Sequence, residues 1–227
     1  MQCNICGNST FEAYRGRPGE VCVNCGSKAR HRVALDVYER FLFPLAGAGI
    51  RVLHLAPEAC LFPILKTVFG EGYVTADALP ERYPDAAPVK LVLPADFGKF
   101  PAGHFDAVLH NHVLEHIPGH WKDHLAGFMR WLEPGGFMIF SVPGPYHDRP
   151  TVEGGEHLAS DAERLEKFLQ EDHLRLFGDD LAPYLAEIGG GKLLDDGVTD
   201  AKRRDLAVRP GKAPFFVWRK DAALSRA

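Results

Sequence analysis

Four of the five cysteines form two C-x2-C pairs, Cys3 with Cys6 and Cys22 with Cys25, separated by "GNSTFEAYRGRPGEV". Thiolates two residues apart reach one ion from a single tight turn, and two such turns complete a tetrahedron around zinc. Gly7 and Gly26, each just after a pair's second cysteine, supply the permissive backbone that such turns favour. The competing readings are two reduced pairs or two disulfides, and clustering of this kind in a reducing compartment points to metal. A zinc with four cysteine ligands has no open coordination position, so its expected work is folding and placement of the segment. Cys60 stands apart in the first helical segment of the α/β part, and the sequence assigns it no role.

A second set of reactive side chains is histidine-rich. His110, His112, His116, His120 and His124 crowd one segment, the last four at intervals of four. That interval would line a helix face and suggest a metal site, but Pro118 and Gly119 interrupt it, so no single helix is expected to carry all four. Histidine suits general-base work near neutral pH, and His112 is the one best placed to face an acceptor. His116 reads equally as a hydrogen-bonded structural histidine. Further on, "EDHLRLFG" adds His173 and Arg175, which share a face only if the segment is extended.

These side chains need a scaffold, and from residue 50 apolar runs alternate with helical segments in the manner of a doubly wound, mostly parallel α/β sheet. Strands are expected at 50–55, 73–76, 89–93, 105–109 and 137–142, with two late ones around 192–198 and 214–219. Helices are expected near 58–69, 121–132, 161–170 and 179–188. Three prolines in "LPERYPDAAP" leave room only for a short crossover. Upstream, Ser27 is the expected N-cap of a helix whose stripe is Val33, Val37 and Phe41 with Ala34, Tyr38 and Leu42. Open sheets of this type bind ligands beyond the carboxyl ends of their strands, where the strand order reverses. At those ends stand "APE", Asp77, "PADF", "HNHVLEHIP" and "PGPYH". The Gly- and Pro-rich stretch 143–178 is expected to form a lid, with Tyr146, Arg149 and His157 as minor acceptor contacts.

The order "VLHLAPE", "YVTAD", "LPADFGKFPAGHFDAVLHNHVLEHIP" and "RWLEPGGFMIFSVP" resembles the class I S-adenosylmethionine-dependent methyltransferases, of the methyltransferase type 11-like group. The resemblance covers residues 50–142 well. It implies a seven-stranded Rossmann-like sheet and S-adenosylmethionine as methyl donor. The family's "DxGxG" loop corresponds to His54, Ala56, Pro57 and Glu58, with Ala56 small enough for close backbone approach. Glu58 either pairs with the cofactor's ammonium or opens the following helix. By the same resemblance Asp77 holds the ribose hydroxyls, with a turn cap as its other reading. Asp96 and Phe97 would take the adenine, Phe97 having an ordinary core role as the alternative. His110 and Asn111 would flank the methionine moiety. His112 and His173 are the catalytic candidates; His173 lies in a segment similar to the family's "DHxRxYG", with Phe177 at the tyrosine.

With 227 residues, 46% hydrophobic and 25% charged, the chain has the balance of a soluble globular protein. Its parts are expected to be a zinc knuckle at 1–30, a linking helix at 31–48 and a methyltransferase domain at 49–227. No apolar run reaches the roughly 20 residues of a membrane span, and "MQCNICGNST" does not read as a signal peptide, so a cytoplasmic location is the expectation. The net charge of −4 disfavours a surface built wholly for nucleic acid. Locally, residues 1–32 carry Arg15, Arg17, Lys28, Arg30 and Arg32 against Glu12 and Glu20, a patch that either seats an acidic partner or is a solvated face. The leading expectation is methyl transfer to an oxygen or nitrogen of a small-molecule or sugar-like acceptor. The alternatives are an RNA or protein methyltransferase gripping its target through the knuckle, and a non-catalytic cofactor-binding scaffold.

Overall fold

The computed structural model describes residues 1–144, 148–209 and 214–222, so Tyr146 lies outside the described residues. The chain forms two compact units, the first comprising Met1–Ile50, Pro57–Tyr73 and Asp195–Phe215. It opens with an antiparallel hairpin of β1 (Phe11–Tyr14) and β2 (Arg17–Cys22). The two turn residues between them, Arg15 and Gly16, both have positive φ, the backbone that matches the twist of a two-residue hairpin. Helix α1 (Ala29–Phe41) follows, and its buried residues include Val33, Ala34, Val37 and Tyr38 of the expected stripe. Its N-cap is Lys28, one residue later than expected, because the Ser27 hydroxyl is turned to the sulfurs of Cys3 and Cys25 at 3.3 and 3.2 Å.

Arg32 is fully buried rather than part of a charged surface. Its guanidinium donates to the carbonyls of Leu206 (2.6 Å), Ser27 (2.8 Å), Gly19 (3.1 Å), Ala207 (3.1 Å) and Glu20 (3.3 Å). Five carbonyls from three chain segments thus share one planar donor, the geometry arginine provides and lysine does not. The same unit contains α2 (Phe62–Phe69) and α6 (Asp200–Asp205), the latter capped by the Thr199 hydroxyl accepting from Lys202 N at 3.2 Å.

The second unit comprises Arg51–Ala56, Val74–Leu194 and the chain from Phe216 on. Its sheet contains β3 (Val52–Leu55), β4 (Tyr73–Asp77), β5 (Val89–Lys90), β6 (Phe105–Asn111), β7 (Leu132–Ser141), β8 (Gly191–Leu194) and β9 (Phe216–Lys220). The spatial order is β5-β4-β3-β6-β7-β9-β8. Pairs β4–β5, β3–β6 and β6–β7 are parallel, while β9 runs antiparallel to both β7 and β8. This is the expected doubly wound, mostly parallel seven-stranded α/β sheet. All four residues of β3 are buried, as a strand covered on both faces requires.

Strand β8 stops at Leu194, short of the expected 198. The Asp195 and Asp196 side chains accept the amides of Gly197 (2.6 Å) and Val198 (2.9 Å), local turns that compete with strand pairing. Helix α3 (Trp121–Trp131) buries Trp121, His124, Leu125, Phe128, Met129 and Trp131, a 3.6-residue stripe that packs into the core with Leu53, Val108 and Met138. Two shorter helices, α4 (Asp161–Phe168) and α5 (Leu181–Glu187), complete the unit. Among the described residues no helix is long and apolar enough to cross a membrane.

Candidate active site

The strand order reverses between β3 and β6, so the cleft expected of such a sheet lies at their carboxyl ends. Both ends carry a non-glycine residue in the left-handed region, Ala56 at φ +50° and His112 at φ +53°. Such backbone costs roughly 1–2 kcal/mol per residue, and it clusters where a chain must approach a ligand closely. Ala56 N donates to Ala76 O at 3.0 Å and His112 N to Ser141 O at 2.9 Å, so each tip is tied to a neighbouring strand.

Asp77 ends β4 half-buried, with one carboxylate oxygen accepting Leu79 N at 2.7 Å. Asp96 sits in a 3-10 turn at Ala95–Gly98, where it accepts Val92 N at 2.7 Å. The Phe97 ring lies over Gly127 of α3, where a Cβ would come within 2.3 Å of it, and packs on Phe128 and Trp131 at 5.4 and 5.2 Å. Asn111 accepts the Ser141 hydroxyl at 3.3 Å. His54 and His110 are fully buried. The His110 ring stacks on Phe140 at 4.5 Å and meets Phe128 at 4.6 Å, and burial, assisted by His54, pushes its pKa down to about 3. The structure therefore places His110 as a neutral core ring, with no surface turned to the cleft. Pro57 and Glu58 fall in the first unit, where the Glu58 carbonyl accepts Leu61 N and Phe62 N, both at 2.9 Å, and opens the turn into α2.

The two catalytic candidates, His112 and His173, meet at one carboxylate. Glu115, only 1% exposed, has Oε1 3.6 Å from His112 Nδ1, 3.7 Å from His116 Nε2 and 4.0 Å from His173 Nε2. His112 keeps about a quarter of its side chain exposed, whereas His173 is buried and its pKa falls to about 4 through desolvation and the neighbouring His116. Arg175 holds this loop in shape. Its guanidinium donates to the carbonyls of Leu114, Ile117 (2.6 Å) and Gly119 (2.5 Å) and pairs with Glu153 at 3.1 Å. Sequence reading passed over Glu115, although it stands inside the quoted "VLEHIP".

A family model described as "methyltransferase domain" matches residues 27–190. The chain belongs to this family. The methyltransferase is similar in fold to an S-adenosylmethionine-dependent methyltransferase from Archaeoglobus fulgidus, with a TM-score of 0.52 and 13% identity over 86% of this chain and 95% of that one. A Galdieria sulphuraria protein assigned as a sarcosine dimethylglycine methyltransferase aligns with a TM-score of 0.49 and 15% identity, over 84% and 86% of the two chains. At such identities the likeness is one of fold. No curated protein matches the chain.

Two further features of the methyltransferase bear on the sequence expectations. Within 143–178, acids tie the segment to the loop after β6: Glu153 takes Trp121 N at 3.1 Å and His120 Nδ1 at 2.5 Å, and Glu156 takes Gly119 N at 3.1 Å. In the first unit, the sulfurs of Cys3, Cys6, Cys22 and Cys25 all lie within 4.8 Å of one another. Cys3 and Cys25 are 3.7 Å apart and Cys6 and Cys22 3.6 Å, against a tetrahedral edge of about 3.8 Å for zinc–sulfur bonds of about 2.3 Å. Gly7 and Gly26 have positive φ, and their amides donate to Cys3 O (2.8 Å) and Cys22 O (2.9 Å). Burial opposes the Cys22 thiolate, yet hydrogen bonds from the Cys25 and Asn24 backbone bring its pKa down to about 6.

Proposed function

We propose that the protein transfers the methyl group of S-adenosylmethionine to an oxygen or nitrogen of a small-molecule or sugar-like acceptor. The observation that carries this reading is the pairing of strained, close-approach residues, Ala56 and His112, at the two strand ends flanking the sheet's switch point, with Asp77 at the next tip. Asp77 would take the ribose hydroxyls, Asp96 the adenine amino group, and Asn111 and the backbone at Ala56 the methionine end. The chemistry is an in-line displacement: the acceptor's lone pair forms the new bond to the methyl carbon as the carbon–sulfur bond breaks, leaving a neutral thioether. Alignment supplies much of the rate. An acceptor that arrives protonated loses its proton to His112 Nε2, on the partly exposed ring whose Nδ1 faces Glu115. His173, buried behind the same carboxylate, serves as a positioning residue. In this reading the four cysteines hold a structural zinc.

A second reading, an RNA acceptor, draws on one feature of the hairpin. Lys28, Arg15 and Arg17 lie over the Tyr14 ring at 4.5, 5.5 and 5.8 Å, an aromatic set among cations. The test is incubation with methyl-labelled S-adenosylmethionine and separate pools of small hydroxyl and amine compounds, total RNA and proteins. Label in the small-molecule pool, lost in His112→Gln while S-adenosylhomocysteine still binds, supports the leading reading. Label in RNA, with binding that falls steeply as salt rises, supports the second.

A further inference from the structure

We infer that Glu115, His116 and His173 form a binding site for a first-row divalent cation, distinct from the cysteine cluster. One oxygen of Glu115 and one nitrogen from each ring all lie within 4.8 Å of one another, and the three residues are drawn from two separate segments. The Nε2 atoms of His116 and His173 stand 3.7 and 4.0 Å from Glu115 Oε1, and the rings meet edge to face at 5.0 Å. Bonds of about 2.1 Å in a tetrahedral site set ligand atoms roughly 3.4 Å apart, so closure on an ion draws the two Glu115–ring separations of 3.7 and 4.0 Å in by about 0.3–0.6 Å.

The surroundings of both rings have the arrangement that metal-bound histidines use. His116 Nδ1 lies 2.9 Å from Asp172 O, with the Asp172 carboxylate at 3.5 Å, and His173 Nδ1 lies 3.2 Å from Phe168 O. A carbonyl accepts only, so each Nδ1 must carry the proton, and each Nε2 keeps the lone pair that a cation needs. Outer partners that fix the tautomer in this way are the usual support of a metal-binding imidazole. The Gln170 side-chain nitrogen lies 2.7 Å from His173 Nε2 and would swing aside, or turn its oxygen inward, when the cation enters. The charge balance also allows it, since Glu115 brings one negative charge to the cation. An imidazole-rich N/O set of this kind favours zinc, nickel, cobalt or iron over magnesium or calcium.

The site is independent of the acceptor's identity, and its test uses no turnover. The full chain is dialysed to constant metal content and titrated with Ni2+ and with Co2+, by calorimetry and visible absorption. We expect one additional equivalent to bind, with d–d bands and without the sulfur-to-metal charge transfer that the cysteines would produce. His116→Gln, at a ring about one third exposed, should abolish this equivalent with the fold intact by circular dichroism. Asp172→Asn, an outer partner 72% exposed, should weaken it by about tenfold or more. No uptake beyond the cysteine cluster, or uptake unchanged in His116→Gln, overturns the proposal. S-adenosylhomocysteine binding, measured on the same samples, reports separately on the methyltransferase reading.

Discussion

His110 is the residue whose replacement has the most calculable consequence. Its ring is fully buried between Phe128 and Phe140, and among the described residues neither ring nitrogen has a hydrogen-bond partner. Its pKa is about 3 in the folded protein, against about 6.5 when unfolded. The sign follows directly. Above pH 6.5 both states hold a neutral ring and this group is silent. Between pH 6.5 and 3 the unfolded chain binds a proton that the native state refuses, so stability falls with pH by about 1.4 kcal/mol per unit. Going from pH 7 to pH 5 therefore costs about 2 kcal/mol through this ring alone. In His110→Phe that contribution disappears, along with one buried unsatisfied donor whose desolvation costs about 1–3 kcal/mol, although the larger ring offsets part of this gain. The assay is urea unfolding at pH 7 and pH 5, followed by fluorescence of Trp121, Trp131 and Trp218, all buried in the sheet unit. The variant's loss between the two pH values should be smaller than wild type's by about 2 kcal/mol. Equal losses in the two proteins would refute the argument that this ring stays neutral in the core.

Three other outcomes are expected. Arg32→Met leaves five carbonyls without their donor and should destabilise the first unit by about 3–5 kcal/mol, read as earlier hydrogen exchange in Ala29–Phe41 while the sheet is unaffected. Cys22→Ser should lower bound zinc by one equivalent and make the first unit sensitive to protease, as should a strong chelator on the wild type. Ala56→Gly exchanges left-handed strain of roughly 1–2 kcal/mol for a backbone entropy cost of roughly 0.5–1 kcal/mol, so thermal stability should stay level or rise slightly with cofactor affinity kept. Ala56→Val should lose both.

The centre of the sheet was legible because β3, β6 and the second half of β7 are apolar runs buried in the core, and because "VLHLAPE" and "VLEHIP" mark the two strands at the switch point. Strand ends were less so: β8 stops early because Asp195 and Asp196 turn the chain with their own side chains, and α2 begins at Phe62 because Glu58 only opens a turn. Burial of charge and polarity was the least readable property. Nothing local in "SKARHR" says that Arg32 goes inside while its neighbours Lys28 and Arg30 stay partly exposed; that depends on carbonyls at Leu206 and Ala207, far along the chain. The meeting of His112 and His173 at Glu115 is a similar case. Each histidine was identifiable by type, but their common partner emerges only when Arg175 draws residues 173–175 against the loop after β6.

Calorimetry with S-adenosylhomocysteine is the decisive test of the proposal that carboxylates at the strand tips hold a nucleoside. Wild type should bind with one site per chain and Asp77→Ala should bind at least about tenfold more weakly, as loss of a charged hydrogen-bond acceptor predicts. A wild type that gives no heat, or an Asp77→Ala variant that binds as tightly as wild type, would contradict it.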